Sequence, residues 1–342
     1  MFRPKYEITD KLLANIKQIT ALIAELNNRH FPRTVILSLE KEARELSSYS
    51  STSIEGNPLP LTEVKKILKN QPKYVRDTEK EVLNYNQALE TLDKLIAQGK
   101  AQLNIDLILT IQKMITKGLL DKFRSGRLRQ EPVFVNNPKT GKTVYWPPDH
   151  QDVKSLMAEL ISYVNKQLGK TDPLILAGIF HKQFVVIHPF IDGNGRTARL
   201  AAKSLLALLG LNTFTLFSFE NYYNKNVSRY FAQVGVLGNY YELNNKIDFT
   251  SWLEYFTDGI IDELMRVSKE LQIVERSPKT ELQAHHRQVL DYIKEHGYIT
   301  DRNYAGLTKR AKATRNKDFN KLISLGLIRK KGQGKSTYYV AR

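Results

Sequence analysis

A chain of 342 residues, 42% of them apolar, has room for two domains or for one large domain with an appendage, each with a sizeable core. Its 52 Lys and Arg against 35 Asp and Glu leave a formal charge of +17, which favours acidic partners: nucleotides, nucleic acid or acidic proteins. With no cysteine it can form neither a disulfide scaffold nor a thiolate metal site. Its start, Met1-Phe2-Arg3-Pro4-Lys5, has no apolar signal core, and its longest apolar stretch, near Ser204 to Phe219, is broken by Gly210 and Asn212. A cytoplasmic protein without membrane contact is the expectation.

Ile8, Leu12, Leu13, Ile16, Ile19, Leu22, Ile23 and Leu26 form a helical stripe over residues 6–30, which Phe31-Pro32 ends. Residues 34–55 read as a second helix, with Gly56 placed as its C-cap. From Thr62, expected as an N-cap, to about Gln272, helix follows helix, including Glu81 to Leu95, Ile105 to Thr116, His150 to Gln167 and Phe249 to Glu270. The exception is Glu131 to Pro148. There Val133-Phe134-Val135 and Thr143-Val144-Tyr145-Trp146 flank Asn136 to Gly141, which predicts a β-hairpin. Either its edge strand pairs with an extended segment of another protein, or the hairpin packs on the core as plain structure.

Phe180, Phe184 and Ile187, then Ala198, Ala201, Leu205 and Leu208, recur at helical spacing on either side of His188-Pro189-Phe190-Ile191-Asp192-Gly193-Asn194-Gly195-Arg196-Thr197-Ala198-Arg199. The spacing predicts a helix, a tight loop and a second helix. Gly193 and Gly195 permit close backbone approach, so the amides that open the second helix can converge on an anion. Arg196 and Arg199, three apart, are expected on one helical face, where two guanidinium groups suit two successive phosphates. Asp192 is a hard oxygen ligand suited to Mg2+. His188 is the group able to take a proton near pH 7.

Glu275 to Thr280 reads as a linker, and the chain then changes character. A helix around Val289 to His296, a short capped helix through Tyr304-Ala305, a third helix from Lys312 to Leu325 and two strands, Leu327 to Lys331 and Thr337 to Val340, follow in the order of a winged helix-turn-helix. From 281 onward there are 14 Lys and Arg against 5 Asp and Glu, with Arg315, Lys317 and Lys321 on the third helix and Lys330, Lys331 and Lys335 at the wing. That charge suits phosphate contact with DNA, while winged helices also dock proteins, and both uses stay open.

The segment from His188 to Arg199 matches at every specified position the core motif of the Fic (filamentation induced by cAMP) family, His-x-Phe-x-Asp/Glu-Gly-Asn-Gly-Arg-x-x-Arg. The resemblance implies a nucleotidyltransferase that performs protein AMPylation. His188 would deprotonate a target hydroxyl, which attacks the α-phosphate of ATP and displaces pyrophosphate. Asp192 would hold Mg2+ on the α- and β-phosphates, and the amides of Gly193, Asn194, Gly195 and Arg196 would cradle them. Arg199 would contact the γ-phosphate, and Phe190 would anchor the loop. A sister group that phosphorylates its target has Lys at the position of Gly195, so the glycine argues for AMP transfer. One departure is Val185, where many relatives carry Glu.

Ser51-Thr52-Ser53-Ile54-Glu55-Gly56 resembles the family's inhibitory motif, Ser/Thr-x-x-x-Glu-Gly/Asn, in its N-terminal arrangement. Glu55 would then pair with Arg199 and keep the γ-phosphate out, and in some relatives the same carboxylate orients a water for AMP removal. Asn221 to Tyr230 resembles the part that packs on the nucleotide base, with Tyr230 the candidate, although an aromatic at helical spacing also serves as core. The expected fold class is therefore mainly α: N-terminal helices with the inhibitory helix at 1–61, a Fic-type helical domain with a β-hairpin flap at 62–274, a linker at 275–281 and a winged helix-turn-helix at 282–342. The expected partners are a target protein on the flap (Val133 to Tyr145), DNA or a protein on the winged helix, and a second copy of the chain in a homo-oligomer. A DNA-binding regulator with a nucleotide-sensing site is the alternative.

Overall fold

A computed structural model describes residues 2–29, 31, 33–72, 74–136, 140–243, 246–275 and 282–341. In chain order they form α1 (Asp10–Asn28), α2 (Arg33–Ile54), α3 (Leu61–Asn70), α4 (Asp77–Ala97), α5 (Ile105–Ile115), β1 (Val135–Asn136), β2 (Thr143–Trp146), α6 (His150–Gln167), α7 (Pro173–Ile187), α8 (Asn194–Leu206), α9 (Glu220–Lys225), α10 (Val227–Val234), β3 (Gly238–Asn239), α11 (Tyr240–Leu243), α12 (Thr250–Glu275), α13 (Ala284–His296), α14 (Asp301–Leu307), α15 (Lys312–Ser324), β4 (Ile328–Lys331) and β5 (Tyr338–Ala341). The fold is mainly α, as expected. No helix among the described residues is long and apolar enough to cross a membrane. The expected linker lies largely outside the described residues, from 276 to 281.

Two compact units emerge. One comprises Met1–Asn28 with Ala43–Met265, the other Arg29–Glu42 with Arg266–Arg342. The helices before residue 62 are therefore divided between them, and α1 packs with the larger helical body. Leu12 of α1 shares a core with Ile175 and Ile179 of α7 and Leu253 of α12, and Asn15 donates to Thr257 Oγ1 and Asp258 Oδ1.

At the centre of the first unit lies α7. Its sequence is apolar on nearly every side, so it cannot sit at a surface and is buried along almost its whole length. Gly178 makes its closest packing possible. A Cβ there would lie 2.6 Å from Leu253 Cδ2, and the bare backbone lets the Trp252 indole donate to Gly178 O at 2.8 Å. The helix starts on Asp172, whose carboxylate accepts from Leu174 N, with Pro173 in the first turn. Thr62, in contrast, is no N-cap: α3 begins at Leu61 after Pro60, which places Thr62 inside the first turn.

The expected hairpin is present but short. β1 pairs antiparallel with β2, and β2 pairs in parallel with β3, through Tyr145 opposite Gly238 and Trp146 opposite Asn239. One side of the hairpin is thus closed by a strand with no sequence signal, and the free edge is that of β1. The turn at 137–139 lies outside the described residues.

In the second unit α13, α14 and α15 pack around Val289, Ile293, Tyr304, Phe319 and Leu322. β4 pairs antiparallel with β5, and Ile299 bridges Tyr339. Two of its basic residues serve this core. Arg315 makes a two-pronged contact with Asp301, at 2.8 and 2.9 Å, and donates to Arg310 O; Arg310 grips Asp318 in the same way, at 2.8 and 3.0 Å. That fork engages the Arg315 guanidinium inside the unit.

Candidate active site

The loop between α7 and α8 is built by its own residues. His188 caps α7 in the left-handed region, with φ 51° and its amide donating to Phe184 O at 3.0 Å. A non-glycine residue there is strained, and such strain gathers at functional sites. The turn drives Phe190 into the core, where it is fully buried against Phe184. Asn194 then clamps the loop: its Oδ1 accepts from Phe190 N at 2.9 Å and its Nδ2 donates to Phe190 O at 2.8 Å. Gly193, at φ 81°, opens α8. The first amides of that helix have no intrahelical acceptor and carry the positive end of its dipole, so the start of α8 is a built anion site.

His188 Nδ1 donates to Val185 O at 3.2 Å. With the proton on Nδ1, Nε2 keeps its lone pair, which is the tautomer a general base requires. The bond uses the backbone of Val185, so the departure from the family's Glu at that position leaves it intact. Burial pushes the His188 pKa down to about 4, and the nearby Arg129 cation acts in the same direction.

The two motif arginines do not share one task. Arg196 donates to Asp192 Oδ2 at 2.9 Å and to Glu81 Oε1 at 3.2 Å. Arg199, fully buried, donates from Nε to Ser51 Oγ at 2.8 Å, and from the second NH2 to Ser51 O at 2.9 Å and Glu55 Oε1 at 2.7 Å. Three apart in sequence, they reach different partners, so of the two expected phosphate contacts one guanidinium is engaged beside Asp192 and the other is held by Ser51 and Glu55. The end of α2 delivers Glu55: beyond Ile54 the chain turns through Gly56, at φ 93°. Gly195 leaves the space that Glu55 occupies, since a Cβ there would fall on Glu55 Oε1.

Tyr230 is redirected by the structure. It is 1% exposed, stacks on Tyr223 at 4.9 Å and accepts from Arg199 at 3.3 Å, so its ring offers no open face to a base. Sequence reasoning missed His181, whose Nε2 meets the Tyr230 hydroxyl at 2.9 Å. A histidine within the apolar run of α7 was the available signal. It also missed Arg129. Buried, it donates from Nε to His188 O at 2.8 Å, from NH1 to Glu131 O at 3.2 Å and from NH2 to Pro148 O, and its amide donates to Pro189 O at 2.9 Å. It thereby ties the base of the hairpin to the His188 loop. Backbone carbonyls are its acceptors, and these leave no mark in a sequence.

Residues 102–206 match the family described as Fic/DOC family. The chain is 29% identical over 200 residues to Protein adenylyltransferase Fic of Drosophila willistoni, covering 57% of this chain and 38% of that protein. It is 30% identical over 183 residues to Protein adenylyltransferase fic-1 of Caenorhabditis elegans, covering 52% and 34%. It thus spans less than half the length of these curated relatives. Among solved structures, a Fic family protein from Desulfovibrio desulfuricans G20 has the same fold, with a TM-score of 0.66 at 20% identity over 100% of this chain and 98% of the other. Fic-1 (aa134–508) from C. elegans superposes with a TM-score of 0.61 at 22% identity, over 77% and 73%.

Proposed function

We propose that this chain, which carries a Fic domain, is an autoinhibited protein adenylyltransferase that moves AMP from ATP to a hydroxyl side chain of a target protein. The observation that carries this reading is the buried Arg199 charge held by Glu55 beside the amides of α8. Stripping a buried ion of its partner costs roughly 3–5 kcal/mol, so another anion must replace Glu55 when it leaves. The terminal phosphate of ATP has the charge and the acceptor oxygens for that exchange. A triphosphate laid back from Arg199 over the first turn of α8 brings its α-phosphorus toward His188.

His188 Nε2 then takes the proton of the target hydroxyl, the hydroxyl oxygen bonds to the α-phosphorus, and the bond to pyrophosphate breaks with its electrons on the leaving group. A pKa near 4 suits a weak base only, and the negative charge of a bound triphosphate raises it toward neutrality. Asp192, an exposed hard oxygen donor beside the anion site, fits Mg2+, which takes one or two carboxylates and completes its shell with phosphates and water. When bound, the ion neutralises phosphate charge. The target segment is assigned to the free edge of β1.

The test is ATP carrying its label on the α-phosphate, incubated with the full chain and with Glu55→Gly. Covalent AMP on protein, increased by roughly 10- to 100-fold in Glu55→Gly for the loss of one charge-assisted contact, is the expected result. Tight ATP binding with no covalent AMP in either protein rejects transfer and leaves the nucleotide-sensing regulator, with residues 282–342 as its DNA-binding module.

A further inference from the structure

Among the described residues Arg199 has four side-chain hydrogen bonds, and three of them go to the end of α2 and the residue just past it: Ser51 Oγ, Ser51 O and Glu55 Oε1. All three weaken together whenever the end of α2 gives way to nucleotide. The fourth, from Arg199 NH1 to the Tyr230 hydroxyl at 3.3 Å, comes from α10 and has no stake in that exchange. A guanidinium freed of three contacts out of four needs the last to stay aimed.

The Tyr230 hydroxyl is itself aimed. The Tyr230 ring is held among Tyr223, Trp252 and Phe231, and its hydroxyl oxygen lies 2.9 Å from His181 Nε2. Arg199 can only donate, so the phenol oxygen accepts from it, and the pairing that also uses the phenol proton sends it to His181 Nε2. That places the imidazole proton on Nδ1, which has no hydrogen-bond partner among the described residues. Instead the ring meets Trp252 edge-on at 5.1 Å and 68°, and Phe256 at 6.1 Å and 81°, aromatic surroundings that can receive a neutral N–H. Burial holds His181 well below the usual histidine range, so it remains a neutral acceptor.

We propose that His181 and Tyr230 form a positioning relay that orients Arg199 for the terminal phosphate once Glu55 has withdrawn. The proposal rests on the reading of Arg199 as the γ-phosphate contact. It predicts a signature that packing alone lacks, because ADP has no γ-phosphate for Arg199 to hold.

The test measures ATP and ADP dissociation constants calorimetrically for the full chain in the Glu55→Gly background, with Tyr230→Phe, His181→Gln, His181→Leu and Arg199→Ala added singly. Tyr230→Phe should weaken ATP roughly 5- to 10-fold and ADP by less than about twofold, the loss expected for one long hydrogen bond of ordinary strength. His181→Gln, which keeps an acceptor at the Nε2 position, should stay within about twofold for both, whereas His181→Leu should resemble Tyr230→Phe. Equal losses for ATP and ADP in Tyr230→Phe, or no loss while Arg199→Ala selectively loses ATP, overturn the relay and leave the site reading standing. An Arg199→Ala protein that binds ATP and ADP with unchanged preference overturns the site reading itself, and the relay with it.

Discussion

Arg199 in the candidate site and Arg310 and Arg315 of the C-terminal unit are all cations locked on carboxylates, yet they are locked differently. Glu55, 144 residues from Arg199 in sequence, has a carboxylate with no second hydrogen-bond partner among the described residues and sits just past the end of α2. Asp318 lies 8 residues from Arg310 and also accepts from Tyr304 at 2.8 Å, in the middle of a small three-helix core. Burial pushes the Asp318 carboxyl up, and the bonds from Arg310 and Tyr304 outweigh it, holding the group below the usual range. A cation whose counter-ion has one job and stands at a helix end can exchange that ion for a ligand. One whose counter-ion also organises a core cannot, and it acts as a brace.

The strongest way to sharpen this contrast is to remove the chemistry and keep both locks. His188→Ala should lower AMP transfer by roughly 10²- to 10⁴-fold, the usual cost of losing a general base, while ATP affinity stays within about twofold. Transfer at the parent rate would show that His188 takes no proton. The brace is tested by Asp318→Ala, which leaves Arg310 and the Tyr304 hydroxyl without their acceptor and should cost about 2–3 kcal/mol in a denaturant titration. ATP should not restore that loss.

Glu55→Gly should also lower stability, because Arg199 is left without its counter-ion, and here ATP should restore it. A ligand at about 100 times its dissociation constant contributes about 2.7 kcal/mol, so the ATP-induced rise in melting temperature should exceed that of the parent chain. Equal rises in the two proteins would place Arg199 away from the nucleotide.

The last expected effect is on pH dependence. His286 is pushed down to about 4, chiefly by burial, with the neighbouring His285 acting in the same direction. The unfolded chain therefore binds more protons than the folded one between about pH 6.5 and 4, so stability should rise with pH through that window and level off above it. His286→Gln, which keeps a side-chain carbonyl for Gln283 N, should flatten the curve; an unchanged slope would show that His286 is not held neutral.

The site's local parts were legible in the sequence because they are local. An apolar run makes α7 buried, two glycines and an asparagine shape a loop, and a serine and a glutamate four apart mark the end of a helix, so the elements and the resemblance that joins Glu55 to Arg199 both follow from short stretches. The tertiary structure alone decided how donors were shared out. Arg196 went to Asp192 and Glu81 while Arg199 went to Ser51, Glu55 and Tyr230, Arg315 went to Asp301, β3 closed one side of the hairpin, and Arg129 took its acceptors from backbone carbonyls. Periodicity reports which face of an element is apolar, and so it predicts burial. It carries no record of which acceptor a buried guanidinium or hydroxyl will meet, because that depends on segments far apart in the chain brought within 3 Å, and on backbone groups that every residue possesses.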